Sequence, residues 1–198
     1  PSGSSPVIRK AAYQFGWDIA PRLVSSGIWQ PVELRCWNKA RITSVQVRQQ
    51  IDTDSIRATI HAHIRCEERA YLHYFLDDRP IGERIIEPSG SDTIDAPLHF
   101  AVGKKDLWWP AGSGTQPLHH IRVEVRNTKG KLLDETHCNI GFRNIELRQE
   151  EDSIGRSFTF VINGVPVFMK GCNIVPPDMF PSRAGNSAWV ALVADAQR

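Results

Sequence analysis

Between Ile56 and Cys66 the chain alternates without a slip. Ile56, Ala58, Ile60, Ala62, Ile64 and Cys66 fall on one parity, and Arg57, Thr59, His61, His63 and Arg65 on the other. Only an extended strand puts every second side chain on one face, so this run must lie in a sheet with one side in a core and the other in water. Such a strand needs partners, because two strands alone do not bury enough apolar surface to persist. The partners are legible. Ile94, Ala96, Leu98, Phe100 and Val102 alternate again, and Leu118–Arg126 carries Ile121, Val123 and Val125 inward before the turn Asn127–Gly130 and the return arm Lys131–Asn139. Ala70–Leu76 is apolar on both faces and reads as a central strand; Ile81–Glu87 is short and reads as an edge. With Arg41–Gln50 this makes about seven strands at regular spacing, the pattern of an immunoglobulin-like β-sandwich. The Cys…Trp…Cys spacing of antibody domains is absent, so this all-β expectation rests on strand count and patterning.

A second constraint lies in Gly141–Arg183. Phe158, Phe160 and Ile162 alternate up to Asn163-Gly164, and Val165, Val167 and Phe168 follow. Asn-Gly between apolar runs predicts a two-residue type I′ hairpin, whose central residues both need positive φ. Pro166 offers no backbone donor, which confines the second arm to an edge. Lys170-Gly171-Cys172-Asn173 and a Pro-rich exit, Pro176-Pro177-Asp178, lead to Ser187–Arg198, where Trp189, Leu192, Val193 and Gln197 take helical spacing. At the other end, Val7–Trp37 reads as two strands, one through Tyr13, Phe15 and Trp17 and one through Ile28 to Cys36, joined by a loop that projects Asp18.

Charge excludes some functions. Twenty-four basic residues against 22 acidic give a net charge of +2, and the arginines are dispersed, so no nucleic-acid partner is expected. No apolar run is long enough to span a bilayer, so no membrane partner is expected either. Cys36, Cys66, Cys138 and Cys172 are irregularly spaced, with no CxxC pair, and are read as free, mostly buried thiols. His61 and His63 share a strand face without a third ligand, and His119-His120 point to opposite faces, so neither pair predicts a metal site and no cofactor is expected. Trp108-Trp109 sit in the loop Asp106–Pro117, which predicts a packing plug in preference to a sugar-stacking platform. The platform would make this a stand-alone carbohydrate-binding or structural module. The adjacent pairs Glu67-Glu68 and Glu150-Glu151 fall at a strand end and in a polar turn, where carboxylates are solvated and not catalytic.

Three segments in order resemble one family. They are Arg9–Asp18 with Pro21-Arg22-Leu23 and Gly27-Ile28-Trp29; Trp108-Trp109-Pro110 with Gly112, Gly114, Gln116 and Leu118; and Gly141-Phe142-Arg143 with Ile145-Glu146-Leu147, the Asn163-Gly164 hairpin, Lys170-Gly171, Asn173, Pro176 and Asp178. Together they resemble family 2 glycoside hydrolases, and in particular their β-mannosidase branch. Ile19 and Ile174 stand where that branch often carries an aromatic. The resemblance implies that residues 1–38 are the end of a jelly-roll sugar-binding domain and 39–148 the sandwich. Residues 149–198 would be the hairpin and first strand and helix of a TIM barrel. It implies a non-catalytic middle fragment of a retaining exo-glycosidase that hydrolyses terminal β-mannosides, with carbohydrate as partner of the intact enzyme. The two catalytic glutamates would lie on barrel strands beyond this chain. β-Galactosidase or β-glucosaminidase specificity is the runner-up. The substrate-binding residues it implies are Asp18, Trp17, Asn173 and Asp178; Arg143 and Glu146 are expected in structural ion pairs.

Overall fold

In the computed structural model, which describes residues 8–18, 20–51, 55–88, 94–103 and 107–197, seven consecutive strands follow one another. They are β1 (Ala40–Ile51), β2 (Ser55–Cys66), β3 (Ala70–Leu76), β4 (Arg79–Ile86), β5 (Ile94–Gly103), β6 (His119–Asn127) and β7 (Leu132–Ile140). They form two antiparallel sheets, a three-stranded one in the order β1-β2-β5 and a four-stranded one in the order β4-β3-β6-β7. This is an immunoglobulin-like sandwich. The fourth strand pairs with the third instead of joining the fifth, as it would in the constant-type arrangement. The uninterrupted alternation of β2 is realised directly: Ile56, Ala58, Ile60, Ala62, Ile64 and Cys66 are buried. Ile60, Ala62, Ile64 and Cys66 meet Leu72, Tyr74, Ile121, Val123 and Val125 of the facing sheet in one core, and Ile56 and Ala58 pack with Phe142 in a second cluster. Each buried Ile, Val or Leu contributes about 1.5–3 kcal/mol relative to exposure. β3 is central, between β4 and β6, and β4 is the edge that tolerates Pro80.

The core contains one polar tie. The Tyr74 hydroxyl, on the four-stranded sheet, donates to the Ala96 carbonyl on the other sheet. Burial pushes its pKa well above the usual tyrosine value. Glu124, on the outer face of β6, is the one buried carboxylate among the described residues. Arg126 clamps it through Nη2 at 2.7 Å and Nε at 2.8 Å, and Arg122 bonds its other oxygen. A carboxylate out of water needs that much compensation.

Turn chemistry sets the registers. Asp77 and Asp78 join β3 to β4 with φ of 49° and 61°, the left-handed pair that a type I′ turn requires. Asn127 closes the β6–β7 turn, its side-chain oxygen accepting from the amides of Lys129 and Lys131. A third antiparallel sheet follows the sandwich: β8 (Ile145–Arg148), β9 (Thr159–Ile162) and β10 (Val165–Val167), ordered β10-β9-β8. Asn163 and Gly164 turn β9 into β10 with φ of 51° and 84°, and Pro166 lies on the edge strand.

The described residues form two compact units. One runs from Arg35 to Met169 and holds every strand. The other is discontinuous and joins the residues up to Leu34 to those from Lys170 onward. The expected strands of Val7–Trp37 are not there among the described residues, and Val7 itself lies outside them. Ala12–Phe15 winds into a single 3-10 turn, and the segment after Ala20 has no ladder partner. An alternating sequence makes a strand only beside another strand; without one, Ile28, Val32 and Leu34 are 84%, 81% and 92% exposed. The C-terminal helix α1 spans Asn186–Ala196; Arg198 lies outside the described residues. None of the four cysteines is in a disulfide, but only Cys66 is buried and Cys138 half-buried. Cys36 and Cys172 are exposed, because each sits in a segment with no sheet to cover it.

Candidate functional site

All four residues expected at a substrate site belong to the discontinuous unit. Trp17 and Ala20 exchange both backbone hydrogen bonds at 3.1 Å, a minimal antiparallel bridge that leaves Asp18 at the tip between them. Ile19 lies outside the described residues. The base of the loop is closed where the Leu23 amide donates to the Gln14 carbonyl at 3.2 Å. Arg22 braces it further, with Nη1 donating to the Phe15 carbonyl at 3.2 Å and the guanidinium 5.7 Å from the Phe15 ring centroid. Gly16 makes the bend at φ 112°, a conformation side chains rarely accept. Asp18 is exposed, and its carboxylate has no hydrogen-bond partner among the described residues. A charged acceptor left free on a braced loop is suited to receive two adjacent hydroxyls. Trp17 beside it is 64% exposed.

Asp178 is placed differently. Its Oδ1 accepts from the Phe180 amide at 2.8 Å and from Arg183 Nη2 at 2.9 Å, and Oδ2 accepts from Arg183 Nε at 3.0 Å. The Arg183 fork, helped by the Phe180 amide, holds the carboxyl below its ordinary range. The same guanidinium stands 4.7 Å from the Phe180 ring centroid. Asp178 thus fixes the turn that runs through Pro181–Arg183 into α1. Asn173 is exposed, and its side chain has no partner among the described residues.

Gln14 is the residue that sequence reasoning missed. It is 4% exposed, its Nε2 donates to the Met179 carbonyl at 3.4 Å, and its Oε1 is buried without a partner. Its only signal in the sequence is a polar residue between two aromatics, Tyr13 and Phe15. The contact spans 165 positions, which no local pattern can show.

The tryptophan loop belongs to the other unit, and Asp106 at its start lies outside the described residues. Trp108 is tied by its amide to the Phe142 carbonyl at 2.8 Å and by its carbonyl to Asn163 Nδ2 at 3.0 Å. The Arg143 guanidinium lies 4.7 Å from its ring centroid. Gly141 leaves room for its indole, and Gly114 does the same for Trp109. Both rings are half-buried packing groups, not a platform standing clear of the surface. Arg143 is therefore a ring partner, whereas Glu146 pairs with Arg148 at 3.3 Å.

The histidines pair in ways the strand pattern did not show. His120 and His137 stack with ring centroids 5.1 Å apart, and His61 lies 2.9 Å from Asp95. Among the described residues no three His, Cys, Asp or Glu side chains gather as a metal site, and no helix is long and apolar enough to cross a membrane.

A sandwich of this topology followed by a small antiparallel sheet defines the architectural class, immunoglobulin-like all-β, and comparison with known proteins gives the family. The profile of Glycosyl hydrolases family 2 matches residues 40–143, and the chain belongs to that family. It is 30% identical over 200 residues to beta-mannosidase B of Neosartorya fischeri and 32% identical over 199 residues to that of Emericella nidulans. It is covered to 96% and 94% respectively. The chain spans 23% of the length of each of these relatives. Among solved structures it is similar to the beta-D-mannosidase of Dictyoglomus thermophilum, with 33% identity and a TM-score of 0.86, covering 96% of this chain and 24% of that one. The exo-chitosanase of Amycolatopsis orientalis shares the fold at 20% identity, with a TM-score of 0.67 and coverage of 81% and 19%.

Proposed function

We propose that this chain is the non-catalytic middle part of a retaining exo-glycosidase that hydrolyses terminal β-mannosides. The observation that carries the reading is the extent of the likeness: proteins named beta-mannosidases match at 30–33% identity across nearly the whole chain, not over the sandwich alone. In this reading residues 1–38 end a jelly-roll domain, 39–148 are the sandwich, and 149–198 open a TIM barrel. The discontinuous unit joins the outer parts of the two flanking pieces, up to Leu34 and from Lys170 onward, while 149–169 group with the sandwich. Retaining hydrolysis needs two carboxyl groups about 5–5.5 Å apart. Glu67 pairs with Lys39 and Glu150 with Arg148, at exposed positions suited to neither role, so the catalytic pair is supplied by a longer polypeptide and this chain alone is inactive.

The part this chain plays is to present sugar-binding groups. Asp18 accepts hydrogen bonds from sugar hydroxyls at the tip of its loop, Trp17 lines the same site, and Asn173 offers an amide. Asp178 contributes from behind, by fixing the turn ahead of α1. The experiment is to express the full-length protein and assay a panel of aryl β-glycosides. Hydrolysis of the β-mannoside above the others is expected. Hydrolysis of none would refute the glycosidase reading, and preference for a galactoside or glucosaminide would refute the mannosidase assignment. Asp18→Asn in the same protein should lower kcat/KM at least tenfold, about the value of one charge-assisted hydrogen bond.

A further inference from the structure

Only two polar or charged side chains are buried among the described residues, Glu124 and Gln14. Glu124 is answered by two arginines. Gln14 has a single 3.4 Å hydrogen bond to the Met179 carbonyl, and its Oε1 has no partner. A buried amide left half-satisfied costs stability that an apolar residue of the same shape would avoid. Its position shows what it does in return. The Gln14 backbone closes the Asp18 loop, accepting from Leu23, while its side chain reaches the residue next to Asp178. Both sides of that link are rigid. The loop is braced by the Trp17–Ala20 bridge and by Arg22 on Phe15. The 178–183 turn is locked by the Arg183 fork. Gln14 is therefore the pivot between a stiff arm carrying Asp18 and a stiff anchor carrying Asp178.

The geometry points to Gln14 as a positioning residue for sugar recognition, one that sets where the Asp18 carboxylate stands relative to the 178–183 turn. This inference rests on the proposed role of Asp18. Because the arm is stiff, releasing its base displaces the tip as a whole, and a displacement of about 1 Å in a binding group can cost up to about 100-fold. Gln14 touches no substrate in this account; it acts through Asp18 alone.

That dependence gives the test. In the full-length protein, Gln14→Met keeps the length of the side chain, removes the link and also removes the unpartnered oxygen, so the fold is retained. Gln14→Leu, which likewise removes the link and buries no charge, serves as the second variant should Gln14→Met fail to melt cooperatively. Each is made alone and with Asp18→Asn, and kcat and KM are measured on an aryl β-mannoside. The expected result is a fall in kcat/KM of about tenfold in the parent protein, carried mainly by KM, and no further fall in the Asp18→Asn background. An equal loss in both backgrounds would show a merely structural residue and overturn the inference, as would no loss in either. If Asp18→Asn itself leaves kcat/KM unchanged, the role of Asp18 fails, and the pivot fails with it. A loss with Asp18→Asn but none with Gln14→Met refutes the pivot and leaves Asp18 in place.

Discussion

Gly141→Ala is a one-carbon test of how the sandwich holds its tryptophan loop. A Cβ at position 141 would lie 2.7 Å from Trp108 Cγ, 2.8 Å from Cδ1 and 2.9 Å from Cβ, closer than real side chains approach. The indole cannot simply retreat. Its own peptide is held on one side by the Phe142 carbonyl and on the other by Asn163, and Arg143 stands against the ring. Gly141 is buried and does not have positive φ, so no backbone strain confuses the result. Overpacking of this kind costs about 1–3 kcal/mol, and shifting the Trp108 peptide far enough to lose one hydrogen bond adds about 1 kcal/mol. Stiffening of the unfolded chain returns about 0.4–1 kcal/mol. The net expectation is a loss of about 1.5–3 kcal/mol, or roughly 5–10 °C in Tm for a unit of this size. Urea unfolding followed by far-UV circular dichroism reads it as a lower midpoint at unchanged slope. In a Trp108→Ala background the same substitution should lose most of its cost, because the ring atoms it strikes are gone. A neutral or stabilising Gly141→Ala, or an equal cost in both backgrounds, would refute the packing argument.

Two further predictions concern polar groups. Tyr74→Phe should cost about 1–2 kcal/mol in urea unfolding, because it leaves the Ala96 carbonyl without its inter-sheet donor; an unchanged midpoint would mean that bond contributes nothing. At Asp77, partial burial raises the carboxyl's pKa, but the His119 side chain and the His120 amide outweigh it and hold it below its ordinary value. A depressed folded-state pKa contributes stability that is present above the unfolded value of about 3.9 and is lost as pH falls through the folded one. Asp77→Asn, which tolerates the same positive φ, should therefore be less stable at neutral pH by under about 1 kcal/mol, given the group's exposure. The two stability curves should converge below about pH 4; a gap that persists at low pH would count against the charge as the cause.

What could be read from the sequence followed the range of the interaction. The run from Ile56 to Cys66 and the Asn163-Gly164 turn are local signals, and both appear in the structure where the pattern puts them. Alternation misled in Tyr13–Trp37, because a strand is made by its neighbour and that segment has none among the described residues. The turn at Asp77-Asp78 gave little sign, since aspartate enters left-handed turns less readily than glycine. The free carboxylate of Asp18 was legible as a polar residue between turn formers, whereas the Arg183 fork on Asp178 depends on the path of the chain over five residues. His120 meets His137 diagonally across β6 and β7, a contact fixed by register and invisible in either strand alone. Gln14 was the hardest to see, because its partner is a backbone carbonyl, which has no letter in the sequence.

The discontinuous unit also sets a timetable for synthesis. A ribosome delivers the segment ending at Leu34 first, yet the residues that complete its unit begin only at Lys170. At ordinary elongation rates of about 5–20 residues per second, the intervening sandwich occupies the exit for on the order of ten seconds. Through that interval Gln14 is without the Met179 carbonyl that its side chain bonds, while the sandwich can already have folded. The link between Gln14 and Met179 therefore forms only after the sandwich has been made.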